Sequence, residues 1–132
     1  SIIASGNTGH LLFIRINDLN NINLQNGREY GDKIIKNLAL VLEIVAKKHK
    51  IYHMESVYFC VCLDGSSKED VQELYNKIIE KKYNVYTTVA CAVPYGPDSD
   101  ENRLFAYGKQ TMLQAQLSGD SYEEVFFTSE DK

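Results

Sequence analysis

The run HLLFIRI, from His10 to Ile16, constrains this chain more than any other stretch. It is of strand length and almost unbroken in apolar character. A strand with one face in water alternates apolar and polar residues, so this one is expected to be covered on both faces. The fold therefore needs a sheet with a layer on either side.

The rest of the chain supplies those layers. Asn17 and Asp18 are helix-capping residue types, and DLNNINLQNG reads as a short helix ended by Gly27. A long helix is predicted from about Glu29 to Lys48, with Ile34, Ile35, Leu38, Leu42 and Val45 at helical spacing. Lys47 and Lys48 are expected in its last turn, where cations suit the helix dipole. IYHMESVYFCVCL, Ile51 to Leu63, reads as a hairpin of two strands. Ser66 and Glu69 have capping-box spacing before KEDVQELYNKIIEKK, where Val71, Leu74, Tyr75, Ile78 and Ile79 form one apolar stripe. Val85 to Val93 (VYTTVACAV) is a further strand rich in β-branched residues, with Pro94, Gly96 and Pro97 expected to break it. Asp98, Ser99 and Asp100 are N-cap candidates for a helix from about Glu101 to Leu117, ended by Gly119, and Tyr122 to Thr128 reads as a closing strand. The order β-α-α-β-β-α-β-α-β gives an α/β fold, an α+β sandwich with a mixed sheet flanked by helices.

Residues 1–132 are expected to form one domain, with Ser1 to Gly9 and Ser129 to Lys132 as connections to a larger protein. The net charge of −4, with no basic run beyond Lys47-Lys48, argues against nucleic acid as partner. No apolar stretch reaches membrane-spanning length and no signal peptide is visible, so a cytoplasmic setting without membrane contact by this domain is expected, whether or not the full-length protein is anchored. Cys60, Cys62 and Cys91 lack the number and spacing of a disulfide framework or a metal site, and read as buried thiols.

The hairpin is unusual at its tip. Two-residue hairpin turns favour Gly, Asn or Asp, and Met54, Glu55, Ser56 and Val57 offer none. Its turn is expected to be longer or bulged.

LLFIRINDLNNINLQNGREYGDKIIKNLALVL resembles the first third of the GGDEF family, the bacterial diguanylate cyclases. That family has a strand ending in Asp-x-Asp, a short helix carrying an Asn, and Gly-His-x-x-Gly-Asp leading the long helix. Asn23, Gly27, Gly31 and Asp32 fall in register with it. The hairpin is similar to the signature Arg-x-Gly-Gly-Asp-Glu-Phe, and TVACAVPYG and LFAYGKQTMLQAQLSGDSYEEVFF to the last third. The resemblance implies a palm-like sheet that binds GTP at the hairpin. Two such domains face each other and condense two GTP into cyclic di-GMP, with two magnesium ions between carboxylates and phosphates.

Position by position, the resemblance also implies a degenerate site. Arg15 stands at the first metal-binding Asp, and Asn17 at the second Asp of the pattern. Glu55 and Ser56 replace the two glycines, Val57 the next acidic residue, Tyr58 the Glu after it, while Phe59 keeps the Phe. His53 replaces the Arg before the motif. The phosphate-binding basics correspond to Asn20, Gln110 and Gln114, and Gly108-Lys109 replaces an Ala-Asp pair. Ala46-Lys47-Lys48-His49 lacks the Arg-x-x-Asp of product inhibition. Magnesium binding, and with it catalysis, is expected to be lost. Asn23 and Asp32 match the guanine-reading pair; they are expected to be retained for structure, Asp32 serving the helix dipole, with surviving nucleotide binding as the alternative. Arg15 is expected to pair with Glu55 or Asp18, or else to hold a phosphate.

These readings leave a regulatory or protein-interaction module beside a partner such as an EAL phosphodiesterase domain. The alternative is a metal-independent sensor binding GTP weakly through Asn23, Asp32 and Arg15. A homodimer is compatible with either. A hydrolase built on the cysteines or histidines finds no readable triad.

Overall fold

The computed structural model describes residues 6–55, 58–118 and 125–128. It contains β1 (Gly9–Ile16), α1 (Leu19–Asn26), α2 (Arg28–Val45), β2 (Lys50–Glu55), β3 (Tyr58–Asp64), α3 (Lys68–Lys81), β4 (Thr88–Tyr95), α4 (Glu101–Ser118) and β5 (Val125–Phe127). This is the element order expected from the sequence. The five strands form one mixed sheet in the order β2-β3-β1-β4-β5. β1 is central and antiparallel to both β3 and β4, and β5 runs parallel to β4.

The apolar run of β1 is explained by the two cores it serves. Leu12, Ile14 and Ile16 enter one core, with Ile34, Leu38 and Leu42 of α2 and Val71, Tyr75 and Ile78 of α3. Leu11 and Phe13 enter the other, with Cys60, Cys62 and Cys91 from the flanking strands and Met112 of α4. Alternate residues of a strand point to opposite faces, so helices on both sides demand apolar residues at nearly every position. The α4 layer lies very close to the sheet. A β-carbon on Gly108 would fall 2.3 Å from the Phe13 ring.

Several boundaries differ from the sequence reading. α2 ends at Val45, so Lys47 and Lys48 lie beyond it and its last turn carries no basic residue. The Ala46 backbone N–H closes the helix on the Leu42 carbonyl at 2.8 Å. Asp18 occupies the N-cap of α1 in the left-handed region (φ 60°) without a side-chain capping bond. The capping box of α3 is Ser67 and Asp70 rather than Ser66 and Glu69. Ser66 is one residue too early, and its hydroxyl donates to the Leu63 carbonyl and meets His10 Nδ1.

β4 begins at Thr88, not Val85, because Tyr86 leaves the sheet and donates its hydroxyl proton to Asn37 Oδ1 of α2 at 2.7 Å. β4 also continues through Pro94 to Tyr95. Ala92 accepts a bond from the Thr128 N–H, so Pro94, two residues on, turns its nitrogen toward the same edge. Among the described residues β5 pairs with Ala90, Cys91 and Ala92, and none of them asks a ladder bond of Pro94. The described part of the closing strand is Val125–Phe127. Gly119 and residues 122–124 lie outside the described residues. No described helix is long and apolar enough to cross a membrane.

Candidate functional site

The C-terminal end of β1 and the β2–β3 hairpin meet at one end of the sheet. Arg15 lies opposite Tyr58 on β3 and Val89 on β4. It is half-buried, and its Nε atom is shielded from solvent. By strand alternation it shares a face with Leu11 and Phe13, the face that α4 covers. The expected pairing of Arg15 with Glu55 falls on a side chain outside the described residues, as do Ser56, Val57 and the Tyr58 side chain.

The hairpin carries the irregularity expected of it. His53 pairs with Phe59 and Glu55 with Tyr58, so the register shifts between His53 and Glu55, a bulge at Met54. Below the bulge, the His53 imidazole stacks on the Phe59 ring at 4.5 Å and 18°. Phe59 is 2% exposed and belongs to the helix-covered core. Phe59 thus anchors the hairpin in that core.

Asn17 is committed to the scaffold. Its backbone N–H donates to the Thr87 carbonyl at 2.9 Å, and its Nδ2 to Thr87 Oγ1 at 3.2 Å. It ties the end of β1 to the start of β4. Asn20 is exposed on α1, and Gln114 on α4. Gln110 lines a cleft of about 710 Å³ with Pro94, Gly96, Asp98, Asp100 and Tyr107. That cleft lies at the Gly9–Tyr95 end of the sheet, away from the hairpin. α4 starts at the far end of the sheet and lies over Phe13, in the middle of β1, through Phe105 and Gly108.

Asn23 meets Gly31 where α1 crosses α2. A β-carbon on Gly31 would lie 1.8 Å from Asn23 Oδ1, so the carboxamide rests directly on the glycine backbone. Asn23 Oδ1 is buried without a hydrogen-bond partner. Asp32, the next residue after Gly31, is exposed. α2 starts at Arg28, and the acid of its first turn is Glu29, so Asp32 lies too far along for the dipole role to explain it. Gly31 as the floor beneath Asn23 has no signature in composition or hydropathy. Its sequence signals are its register with the Gly-His-x-x-Gly-Asp pattern and its place as a glycine inside the first turns of a helix, a costly choice there.

The match to known families rests on the same elements. The family model described as "Diguanylate cyclase, GGDEF domain" matches residues 3–92. The chain belongs to the GGDEF family.

Solved GGDEF structures share this fold at low identity. The GGDEF domain of DgcB from Caulobacter crescentus, in complex with c-di-GMP, is 15% identical, with a TM-score of 0.78 over 92% of this chain and 78% of that one. An EAL/GGDEF domain protein from M. capsulatus is 15% identical, with a TM-score of 0.77 over 95% and 86%. The diguanylate cyclase SiaD from Pseudomonas aeruginosa, in complex with its activator SiaC, is 12% identical, with a TM-score of 0.77 over 93% and 50%. No curated protein matches the chain.

Proposed function

We propose that this GGDEF domain has lost cyclase chemistry and works as a regulatory or protein-interaction module of bacterial cyclic di-GMP signalling. It would act on an attached domain such as an EAL phosphodiesterase, or on another protein. The observation that carries this reading is Arg15, half-buried at the end of β1 beside the hairpin, where the family has a metal-binding carboxylate. A guanidinium stays positive and cannot ligate magnesium. Magnesium asks for hard oxygen ligands, usually carboxylates and phosphates. The neighbouring Asn17 amide is engaged by Thr87. This donor set does not suit magnesium. The reading is supported by solved relatives that include a cyclase bound to an activator protein and an EAL/GGDEF protein. Incubation with GTP and magnesium tests it; the expected result is no cyclic di-GMP at any protein concentration.

A second reading is favoured by one observation, the buried and unsatisfied Asn23 carboxamide oxygen next to Asp32. An amide and a carboxylate can read the polar edge of guanine, with Arg15 contributing a metal-independent phosphate contact. The domain would then sense GTP. Calorimetry with GTP, with and without magnesium, separates the two: heat that persists without magnesium favours the sensor, and none at millimolar ligand removes it.

A further inference from the structure

Among the described residues, β5 is the most lightly held strand of the sheet. Its three residues pair with β4 alone. Val125 is buried and Phe127 packs against the helix-covered core, while Phe126 is 53% exposed. Just past the strand, the Thr128 N–H donates to the Ala92 carbonyl at 3.2 Å. The Thr128 hydroxyl is buried without a hydrogen-bond partner, a desolvation cost that is relieved when the strand lifts. Short elements with few contacts open locally at a fraction of the free energy of global unfolding.

Phe127 is held by two groups that do not tolerate the same charge. The His10 ring of β1 stands perpendicular to it, with centroids 6.4 Å apart at 85°. The Lys68 ammonium, in the first turn of α3, lies over the same ring, 5.6 Å from its centroid. His10 is 8% exposed, and its Nδ1 meets Ser66 Oγ at 2.8 Å. β3 and β4 place Leu63 and Pro94 opposite His10, and neither titrates. Asp64, the next residue on β3, is engaged by the Tyr95 hydroxyl and by Asn7. Lys68 and Asp70 are the charged groups that act on His10 from α3, and Asp70 accepts from the Ser67 N–H in the capping box. A neutral imidazole suits this place. A protonated one sets a second cation beside the ring that Lys68 covers, near an acid already committed to the cap.

We propose that β5 is a latch set by the charge of His10. Neutral His10 seats Phe127 and keeps β5 on the sheet, and protonated His10, beside Lys68, releases it. Burial, then the Lys68 ammonium, hold the His10 pKa below the ordinary 6.5 while Phe127 is seated. Lifting Phe127 opens His10 to water, so acid favours the lifted form. Release bares the edge of β4 at Ala90, Cys91 and Ala92. The latch would give the proposed regulatory module an input, and its evidence is independent of the hairpin.

The test is amide hydrogen exchange of the isotope-labelled domain, followed by NMR at about pH 7.5 and about pH 5.5 and corrected for intrinsic rates. The Thr128 amide is expected to lose protection several-fold more than the Leu12 and Ile14 amides of β1. The limit is about tenfold, set by a solvent-exposed His10 titrating at 6.5. His10→Asn is expected to keep Thr128 protected at both pH values, and Lys68→Gln to lose less than wild type. Coupling is reciprocal, so Phe127→Leu should move the His10 titration, read from its ring signals, up toward 6.5. Native β1 signals establish that each variant has folded. The proposal is overturned if Thr128 and β1 lose protection alike, or if His10→Asn or Lys68→Gln loses it as fully as wild type. It is also overturned if His10 titrates identically in wild type and Phe127→Leu. None of these substitutions touches the hairpin, so the GTP turnover result stands apart from this outcome.

Discussion

Asn23 of α1 packs so closely on Gly31 of α2 that any β-carbon at residue 31 would come within 1.8 Å of the Asn23 carboxamide oxygen. The contact holds the α1–α2 crossing. Overpacking of this kind typically costs about 1–3 kcal/mol. Gly31→Ala is expected to lower stability by that order in urea unfolding, and N23A/G31A to recover part of the loss, because the clashing group is gone. Equal stability of wild type and Gly31→Ala would show that the crossing relaxes freely.

The capping box of α3 gives a second prediction. Ser67 Oγ accepts from the Asp70 N–H at 3.2 Å, and Asp70 Oδ2 accepts from the Ser67 N–H at 2.9 Å. Ser67→Ala is expected to cost about 1 kcal/mol, read as a lower urea midpoint. Glu69→Ala, one register away, should be nearly neutral. The reverse ranking would return the cap to Ser66 and Glu69.

The cap shows where the sequence was legible and where it was not. Two adjacent serines, each followed three residues later by an acid, fit the same pattern. What decides between them is His10, 56 residues away, which meets Ser66 at 2.8 Å. The two-sided burial of β1 and the stripe of α3 were readable because their periodicity is local. The start of β4 was not, because Tyr86 is drawn out of the strand by Asn37, 49 residues away. At the site, the hairpin bulge followed from turn chemistry. Asn17 was read as a capping type and a replaced ligand, while its bonds go to Thr87, 70 residues on.

His10 gives a pH dependence. Burial, then the nearby Lys68 ammonium, hold its pKa below the ordinary 6.5, against the hydrogen bond with Ser66 and the more distant Asp70 carboxylate. Ser66 donates its own proton to the Leu63 carbonyl, so His10 Nδ1–H is the donor in their contact. The folded state therefore prefers neutral His10. Below 6.5 the unfolded chain takes up a proton that the folded one resists, so this contribution to stability is present above 6.5 and is lost as pH falls toward the lowered folded value. Urea midpoints at about pH 8 and about pH 5.5 should differ for wild type and differ less for His10→Asn, whose amide keeps a donor near Nδ1. A residual slope is expected from His49, whose pKa burial also lowers. An unchanged slope in His10→Asn would remove His10 from the account.

The thiols test whether any cysteine chemistry operates. Cys60, Cys62 and Cys91 are all buried. Burial pushes the Cys60 and Cys62 thiols up, and that of Cys91 up to about 12. A thiolate is the reactive form, so a thiol-specific reagent should react very slowly with the folded domain and with all three cysteines after unfolding. One fast-reacting thiol in the native domain would contradict this.

The central claim is that Arg15 and the replaced hairpin end cyclase chemistry while the fold persists. The most direct measurement is mass-spectrometric detection of cyclic di-GMP after incubation of the domain with GTP and magnesium across a wide range of protein concentrations. The account predicts a signal no higher than the blank throughout. Product above the blank that rises with protein concentration would contradict it.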